Sequence, residues 1–269
     1  MKIIQSSSII VCIKGGGDIA SGVAWRLHHC GFRVFITELD HPLAVRRKVA
    51  FCEAVYDGNA WVQGVEAILV RDPAEVPSVW DLKKIPLFVD PSCESRQTIK
   101  PDVLVDAILA KKNLGTSIHD ADLVIALGPG FGAGKDVHFA VETNRGHNLG
   151  RLLTQGSADA DTGIPAPVQG ITMDRVFRAP SDGLWMNRKD IGDLVKKGDP
   201  LGAVKDLPVK AGIDGVIRGM IRPGIRVEEG LKIGDIDPRG RIEYCYTVSE
   251  KALAIGGGVL EGILRVCGG

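Results

Sequence analysis

Short apolar runs alternate with helical stretches along the first half of the chain. Residues Ile9 to Ile13 are apolar and largely β-branched and predict a buried strand. After this run in the chain, apolar residues recur at helical spacing at Ala20, Val23, Ala24 and Leu27. Later apolar runs predict further strands at 32–38, 67–70, 86–90, 102–109 and 122–128. The alternation predicts an α/β fold with a Rossmann-like, doubly wound sheet over residues 1–168.

The pattern changes after Gly163 to short segments broken by Gly, Pro and Asp, which is typical of small β structure. The stretches IGDLVKKGDPLGAV and GIRVEEGLKIGDI share one pattern and predict two similar hairpins. With VKAGIDGVIRG between them, this region resembles a biotinyl/lipoyl-type barrel-sandwich domain, expected at 169–240. Residues 241–269 are expected to form a helical segment that packs back on the first domain.

Three consecutive glycines, Gly15, Gly16 and Gly17, stand between the first predicted strand and the first predicted helix. Gly15, Gly17 and Ala20 fit the pattern G-x-G-x-x-G/A, in which glycines allow backbone amides to approach a pyrophosphate at a helix N-terminus. The alternative is a turn that serves packing alone. These residues are therefore a candidate cofactor-binding site.

An acidic residue follows the second predicted strand at the spacing that the glycine pattern requires. Glu38 lies 21 positions after Gly17, close to the spacing of about 20 expected for a carboxylate that binds ribose. Asp40 is the reserve candidate. Asp18, inside the candidate turn, would repel a pyrophosphate unless its side chain points away, for example to cap the helix.

A second glycine-rich stretch follows the last predicted strand of the first domain. It is not a Walker A loop, because Pro129 replaces the first glycine of that motif and Asp136 replaces its Ser or Thr. Its backbone could still form an anion pocket with nearby cations. The alternative is a sharp connection with solvated charges. The candidate residues are Gly128, Gly130, Gly132, Gly134, Lys135 and Arg145.

In a doubly wound sheet, ligands bind outside the carboxyl ends of the strands. That rule selects the loops that begin at Gly15, Glu38, Asp90, Asp106 and Gly128. Both candidate glycine stretches therefore lie at the edge where a ligand is expected.

The composition excludes several classes of protein. The formal net charge of +0 gives no electrostatic footprint for nucleic acid or an anionic membrane surface. No apolar run approaches the length of a spanning helix, and the first residues show no signal-like cleavage region, so a cytoplasmic location is expected. The six cysteines contain no C-x-x-C pair, and no metal site is expected. Cys93 follows a predicted strand in a loop, and this setting makes it the candidate for a reactive thiol.

Several blocks together resemble one family nearly end to end: KGGGDIASGVAWRL, RRKVAFCEAVYDG, DAILAKKNLGT, ALGPGFGAGKDVHFAVETNRGHNLGR and KALAIGGGVLEGIL. They resemble the YqeB family of the selenium-dependent molybdenum hydroxylase system. The resemblance implies an accessory protein for maturation of such hydroxylases, similar in role to XdhC-type molybdenum-cofactor chaperones. It also implies the hydroxylase or other maturation proteins as partners, with a homo-oligomer as a further expectation. It supplies no reaction and no catalytic residues.

Two ligands and three functions remain open from the sequence. Molybdopterin, as molybdenum cofactor or its dinucleotide, and NAD(P) both carry phosphate and suit a glycine turn. An NAD-dependent oxidoreductase is the main functional alternative and would need an acid or base such as His119, His138 or His147. A scaffold that binds partners through the β domain is the second alternative.

Overall fold

A computed structural model describes residues 6–163 and 165–267, which form two compact units. The first unit contains the described residues up to Pro42, the segment Ala50–Thr162 and the residues from Val248 onward. The second contains Leu43–Val49 and the described part of Gly163–Thr247. The expected division at 1–168, 169–240 and 241–269 stays a prediction.

One mixed sheet forms the centre of the first unit. In the described residues its strands are β1 (Ile10–Lys14), β2 (Arg33–Glu38), β3 (Asn59–Val62), β4 (Val65–Val70), β5 (Ile85–Val89), β6 (Val103–Asp106), β7 (Leu123–Leu127), β8 (Phe139–Val141) and β9 (Leu152–Leu153). They are ordered β3-β4-β5-β2-β1-β6-β7-β8-β9. The strands from β4 to β8 in this order are parallel, whereas β3 and β9 pair antiparallel with their neighbours.

Two long helices pack against each other in this unit. The described helices are α1 (Asp18–His29), α2 (Ala54–Asp57), α3 (Val76–Asp81), α4 (Ser95–Ile99) and α5 (Glu250–Cys267). Helix α5 packs against α1 and against β7, β8 and β9. A Cβ at Gly22 of α1 would lie 2.5 Å from Cβ of Ala252, so this glycine permits the close approach of the two helices.

The predicted Rossmann-like, doubly wound sheet is wrong in two respects. The sheet is mixed, with antiparallel strands at both edges. The connections from β6 to β7 and from β7 to β8 contain no described helix. They are rich in glycine and small polar residues, which favour turns over the amphipathic helices that a doubly wound sheet needs.

The described residues of the second unit form two four-stranded antiparallel sheets. Their strands are β10 (Val176–Arg178), β11 (Gly183–Asn187), β12 (Leu194–Val195), β13 (Pro200–Val204), β14 (Leu207–Lys210), β15 (Gly215–Met220), β16 (Arg226–Val227) and β17 (Lys232–Asp237). The strand orders are β10-β17-β15-β12 and β14-β13-β11-β16. Trp185 is fully buried in the core of this unit, beside Phe177.

The expected biotinyl/lipoyl-like domain with two equivalent hairpins is corrected by this topology. The first of the two similar stretches contains β12 and β13, and the second contains β16 and β17. In both stretches the two strands belong to different sheets, so neither stretch is a hairpin. The shared glycines mark the turns at which the chain passes from one sheet to the other.

None of the helices within residues 6–163 and 165–267 combines the length and the apolar character that a membrane crossing requires. The cytoplasmic location stays a prediction.

Candidate functional site

The loop Gly15–Gly17 joins the carboxyl end of β1 to the start of α1. Gly15 has a φ of +94°, and a Cβ there would lie 3.1 Å from the carbonyl oxygen of Ala107. A Cβ at Gly16 would lie 3.0 Å from the backbone N of Cys52, so both glycines are needed for packing. A Cβ at Gly17 meets nothing within 4 Å. Open space therefore lies beside the loop at Gly17 alone.

Glu38, the last residue of β2, is joined directly to this loop. Its carboxylate accepts hydrogen bonds from the backbone N of Gly16 at 2.8 Å and of Leu39 at 2.5 Å. Burial raises the pKa of Glu38, and the two backbone hydrogen bonds oppose that shift. The structure thus brings together the predicted glycine loop and the predicted ribose-binding acid.

The start of α1 differs in detail from the expectation for Asp18. Gly17 is the N-cap residue, without a side-chain cap, and Asp18 is the first residue of the helix. The first hydrogen bond at this end runs from the backbone N of Ser21 to the oxygen of Gly17. Ala20, the last position of the glycine pattern, is buried. Its small side chain serves packing at this position.

A buried charged cluster that the sequence analysis missed lies beside the loop. Lys14 Nζ donates to Thr116 Oγ1 at 2.6 Å, and the Thr116 hydroxyl donates to Asp106 Oδ2 at 2.5 Å. Lys14 Nζ lies 3.9 Å from Asp106 Oδ2. Lys14 is 8% exposed and Asp106 is 2% exposed. The signal available in the sequence is a charged residue in or directly after each of two predicted strands. The sheet-edge rule selects the loops that begin at Gly15 and at Asp106, but it does not single out Lys14 or Thr116.

Lys14, Thr37 and Asp106 form one row at the carboxyl edge of the sheet. Lys14 is the register partner of Thr37 on β2 and of Asp106 on β6. The strand that follows β1 in the chain lies on one side of it, and β6 lies on the other, so the strand order reverses here. Such a reversal in a mostly parallel open sheet is where ligands bind.

Two free thiols lie under this row. Cys12 of β1 and Cys93 of the loop after β5 are both buried, and their Sγ atoms are 3.4 Å apart. Hydrogen bonds from Cys12 and Thr37, together with the Lys14 ammonium, lower the pKa of Cys93. Burial raises the pKa of Cys12. The pair is therefore asymmetric, with Cys93 the more readily ionised thiol.

The second glycine stretch is packed against neighbouring loops. Gly128, with a φ of +79°, donates its backbone N to the oxygen of Val141 at 2.9 Å. Gly130 has a φ of +105°, and a Cβ there would lie 2.6 Å from Cα of Lys112. These two glycines permit a close approach of backbone segments.

The other candidate residues of the second glycine stretch do not share one binding partner. The backbone N of Gly132 donates to Asp136 Oδ2 at 2.8 Å, and Gly134 has a φ of +77°. Lys135 is exposed, and Arg145 forms an ion pair with Glu250 at the start of α5. In the described part of the chain, no hydrogen bond or ion pair joins Lys135 or Arg145 to Gly15–Gly17. Their part in an anion pocket stays a prediction.

A cavity of about 350 Å³ lies at the other edge of the sheet. It is lined by residues at the amino ends of β1, β6 and β7, among them Ile9, Val103 and Leu123, and by the last turn of α5. It is therefore separate from the glycine loop, which lies at the carboxyl ends.

Comparison with known proteins supports the resemblance to the YqeB family. The chain is 48% identical over 257 residues to "Uncharacterized protein YqeB" of Escherichia coli (strain K12). The alignment covers 96% of this chain and 48% of that protein, so the chain spans about half the length of this relative. No family model matches the chain.

Solved structures align only weakly with the chain. An aspartoacylase family protein from Mesorhizobium loti is 11% identical at a TM-score of 0.27, over 85% of this chain and 84% of that chain. The ectoine utilization protein EutE from Ruegeria pomeroyi is 12% identical at a TM-score of 0.24, over 84% of this chain and 56% of that chain. TcdA (CsdL) is 11% identical at a TM-score of 0.31, over 98% of this chain and 89% of that chain. Scores this low transfer no activity to this chain.

The expected accessory role in maturation of molybdenum hydroxylases is corrected, because these comparisons give it no support. The aligned structures include desuccinylase and aspartoacylase proteins, and their low scores assign no function to this chain either. The related protein of Escherichia coli carries no described function in its name. The accessory role, with its oxidoreductase and scaffold alternatives, is therefore not carried further. The partners and the homo-oligomer stay predictions.

Proposed function

We propose that this chain, as a relative of YqeB, binds a phosphate-bearing nucleotide ligand at the carboxyl ends of β1 and β2. The observation that carries the proposal is the open space at Gly17, at the start of a 12-residue helix and beside the loop that Glu38 holds. NAD(P) and a molybdopterin dinucleotide are the two candidate ligands, because each carries a diphosphate next to a ribose.

Backbone amides support binding of the diphosphate. The first N–H groups of α1 have no acceptor within the helix, and they point toward the loop side of its N-terminus. Such amides, with the helix dipole, favour a phosphate group that approaches closely. Asp18 places a carboxylate in the same turn and weakens this attraction. The proposal therefore depends on the free space and the amides, and not on net charge.

Glu38 supports recognition of the ribose. Two backbone N–H groups hold its carboxylate beside the loop, which leaves further lone pairs on both oxygens to accept from ribose hydroxyls. Because the acid lies at the end of the strand next to β1, a ribose bound to the diphosphate is within its range.

Gly17→Val should weaken binding of the ligand about tenfold or more, because each charge-assisted hydrogen bond to phosphate contributes about 1.5–3 kcal/mol. The valine side chain occupies the open space that the phosphate needs, and the φ of −65° at this position accepts a side chain without strain. Calorimetry with NAD⁺, NADP⁺ and a molybdopterin dinucleotide measures the affinities.

The matched control is Gly257→Val, on a second glycine of the first unit where a Cβ meets nothing within 4 Å. It should bind with wild-type affinity. Equal affinities for the Gly17→Val variant and the wild type, or no binding of any of the three ligands to the wild type, would contradict the proposal.

Glu38 should also select against a 2′-phosphate. The wild type is expected to bind NAD⁺ about tenfold or more tightly than NADP⁺, because the carboxylate accepts from a 2′-hydroxyl and repels a phosphate. Glu38→Gln removes the repulsion and should reduce this preference. Glu261→Gln, at a half-exposed position of α5, is the control and should leave the ratio unchanged. An unchanged ratio in Glu38→Gln removes Glu38 from the site.

A further inference from the structure

The thiols of Cys12 and Cys93 form a contact that the proposed nucleotide site does not use. Cys12 is the third residue of β1, and Cys93 follows β5 by four residues. Their Sγ atoms lie 3.4 Å apart, although the residues are 81 positions apart in the chain. A disulfide bond of about 2.05 Å would require the two sulfurs to close by roughly 1.4 Å.

The polar row at the carboxyl edge borders this pair. Lys14 lies two residues after Cys12 on the same strand, so their side chains point to the same face of the sheet. Thr37 is the register partner of Lys14 on β2. The Thr37 hydroxyl and the Lys14 ammonium both stabilise a negative charge on Cys93. Both thiols lie in the apolar core of the first unit, among side chains such as Phe35 and Leu104, and the lysine and hydroxyl beside them distinguish the pair from cysteines with apolar neighbours alone.

The contact between the sulfurs gives the two thiols different roles. Ionisation of Cys93 is favoured when the Cys12 S–H donates to it, and burial keeps the proton on Cys12. The thiolate is the nucleophilic form of cysteine. Cys93 also lies in a loop with exposed neighbours, whereas Cys12 lies on a strand between β2 and β6, so we assign Cys93 as the attacking thiol and Cys12 as the thiol that resolves the product.

The backbone at Cys93 is held in an unusual conformation. Its φ of +56° lies in the left-handed region, which residues other than glycine seldom adopt. Asp90 fixes the loop, because its carboxylate accepts from the backbone N of Glu94 at 2.9 Å and of Ser95 at 2.8 Å. Strain of this kind, kept by the surrounding structure, is concentrated at functional sites.

The loop that contains Cys93 lies at the surface of the first unit. The residues that flank it in the loop, Pro91, Ser92 and Glu94, are exposed. The thiol itself is buried, so a reactant must be small to reach it. A peroxide is the oxidant that best fits this restriction.

We propose that Cys12 and Cys93 form a peroxide-reactive dithiol site. The Cys93 thiolate attacks one oxygen of hydrogen peroxide, the O–O bond breaks, and the departing hydroxide takes a proton to become water. Cys93 is then a sulfenic acid. Cys12 attacks its sulfur, the S–O bond breaks, and the hydroxide leaves as a second water with the proton of Cys12. Two thiols have been oxidised to one disulfide and one peroxide has been reduced to two waters; an external dithiol restores the reduced pair.

Peroxide treatment of the reduced protein tests this proposal. After one equivalent of hydrogen peroxide and alkylation of the remaining thiols, peptide mass spectrometry should find Cys12 linked to Cys93, with the mass of two hydrogen atoms lost. Cys12→Ser should stop the reaction at the sulfenic acid, which dimedone traps on Cys93. Cys93→Ser should slow peroxide consumption about tenfold or more, because the nucleophilic thiolate is gone.

Cys52→Ser is the matched control, since Cys52 is also buried and burial raises the pKa of its thiol. It should consume peroxide at the wild-type rate. The mapping of the linked peptides uses the wild type, so it gives a result even where a cysteine variant fails to fold. Absence of the Cys12–Cys93 link, or oxidation spread equally over the other cysteines, would overturn the proposal. No nucleotide is needed in this experiment, so its outcome is independent of the proposed function.

Discussion

Replacing Lys14 by methionine should lower the free energy of unfolding of the first unit by about 3–5 kcal/mol. Asp106 is 2% exposed and would lose the cation that neutralises it, with the Thr116 hydroxyl and the backbone N of Ile108 as its hydrogen-bond donors. A buried charge left without its partner carries the full penalty of desolvation. Hydrogen exchange of the β1 and β6 amides under native conditions measures the change in this unit.

The double variant Lys14→Met with Asp106→Leu separates the charge effect from loss of packing. Removal of both charges should recover most of the stability, because well-packed apolar residues often replace a buried ion pair without loss. Lys196→Met, which breaks the exposed ion pair with Asp214, should leave stability unchanged. If Lys14→Met unfolds at the wild-type free energy, the charged cluster does not contribute as the structure indicates.

Trp185→Ala should lower the free energy of unfolding of the second unit by about 3–5 kcal/mol, since a fully buried aromatic side chain leaves a large cavity. The centroid of its ring lies 6.4 Å from the centroid of the Phe177 ring. At Gly202, a Cβ would lie 2.5 Å from Cη2 of Trp185, so the surrounding backbone fits this ring closely. Hydrogen exchange of the β13 and β15 amides measures the loss.

The control for this prediction is another tryptophan. Trp61, on β3 of the first unit, is 59% exposed, and Trp61→Ala should change stability by no more than about 0.5 kcal/mol. Equal protection of the β13 and β15 amides in Trp185→Ala and the wild type would show that the core of the second unit does not depend on this ring.

Local pattern was sufficient for the elements around the glycine loop. The predicted strand at Ile9 to Ile13 is confirmed as β1, one residue later, and helical spacing places α1 correctly. Glu38 lies beside Gly16, as expected from its spacing. These features lie within one strand–helix–strand segment, for which hydrophobic period, glycine position and spacing are direct signals.

The arrangement of the strands was not available from the same signals. Apolar runs have no marker for antiparallel pairing, so the sequence did not reveal that β3 and β9 make the sheet mixed. Two similar stretches predicted two hairpins, but a local repeat does not determine which sheet its strands join. Topology depends on which apolar faces pack together, and that is decided by the whole chain.

The sequence by itself determined the glycine loop, the helix behind it and the acid at the end of the next strand. Only the tertiary structure decided that Lys14 meets Asp106 and Thr116, and that Cys12 meets Cys93. Each of these contacts joins residues more than 80 positions apart or follows from such a pairing. The register of β1 against β6, and the path of the loop after β5, place these side chains together, and neither is encoded in any short segment.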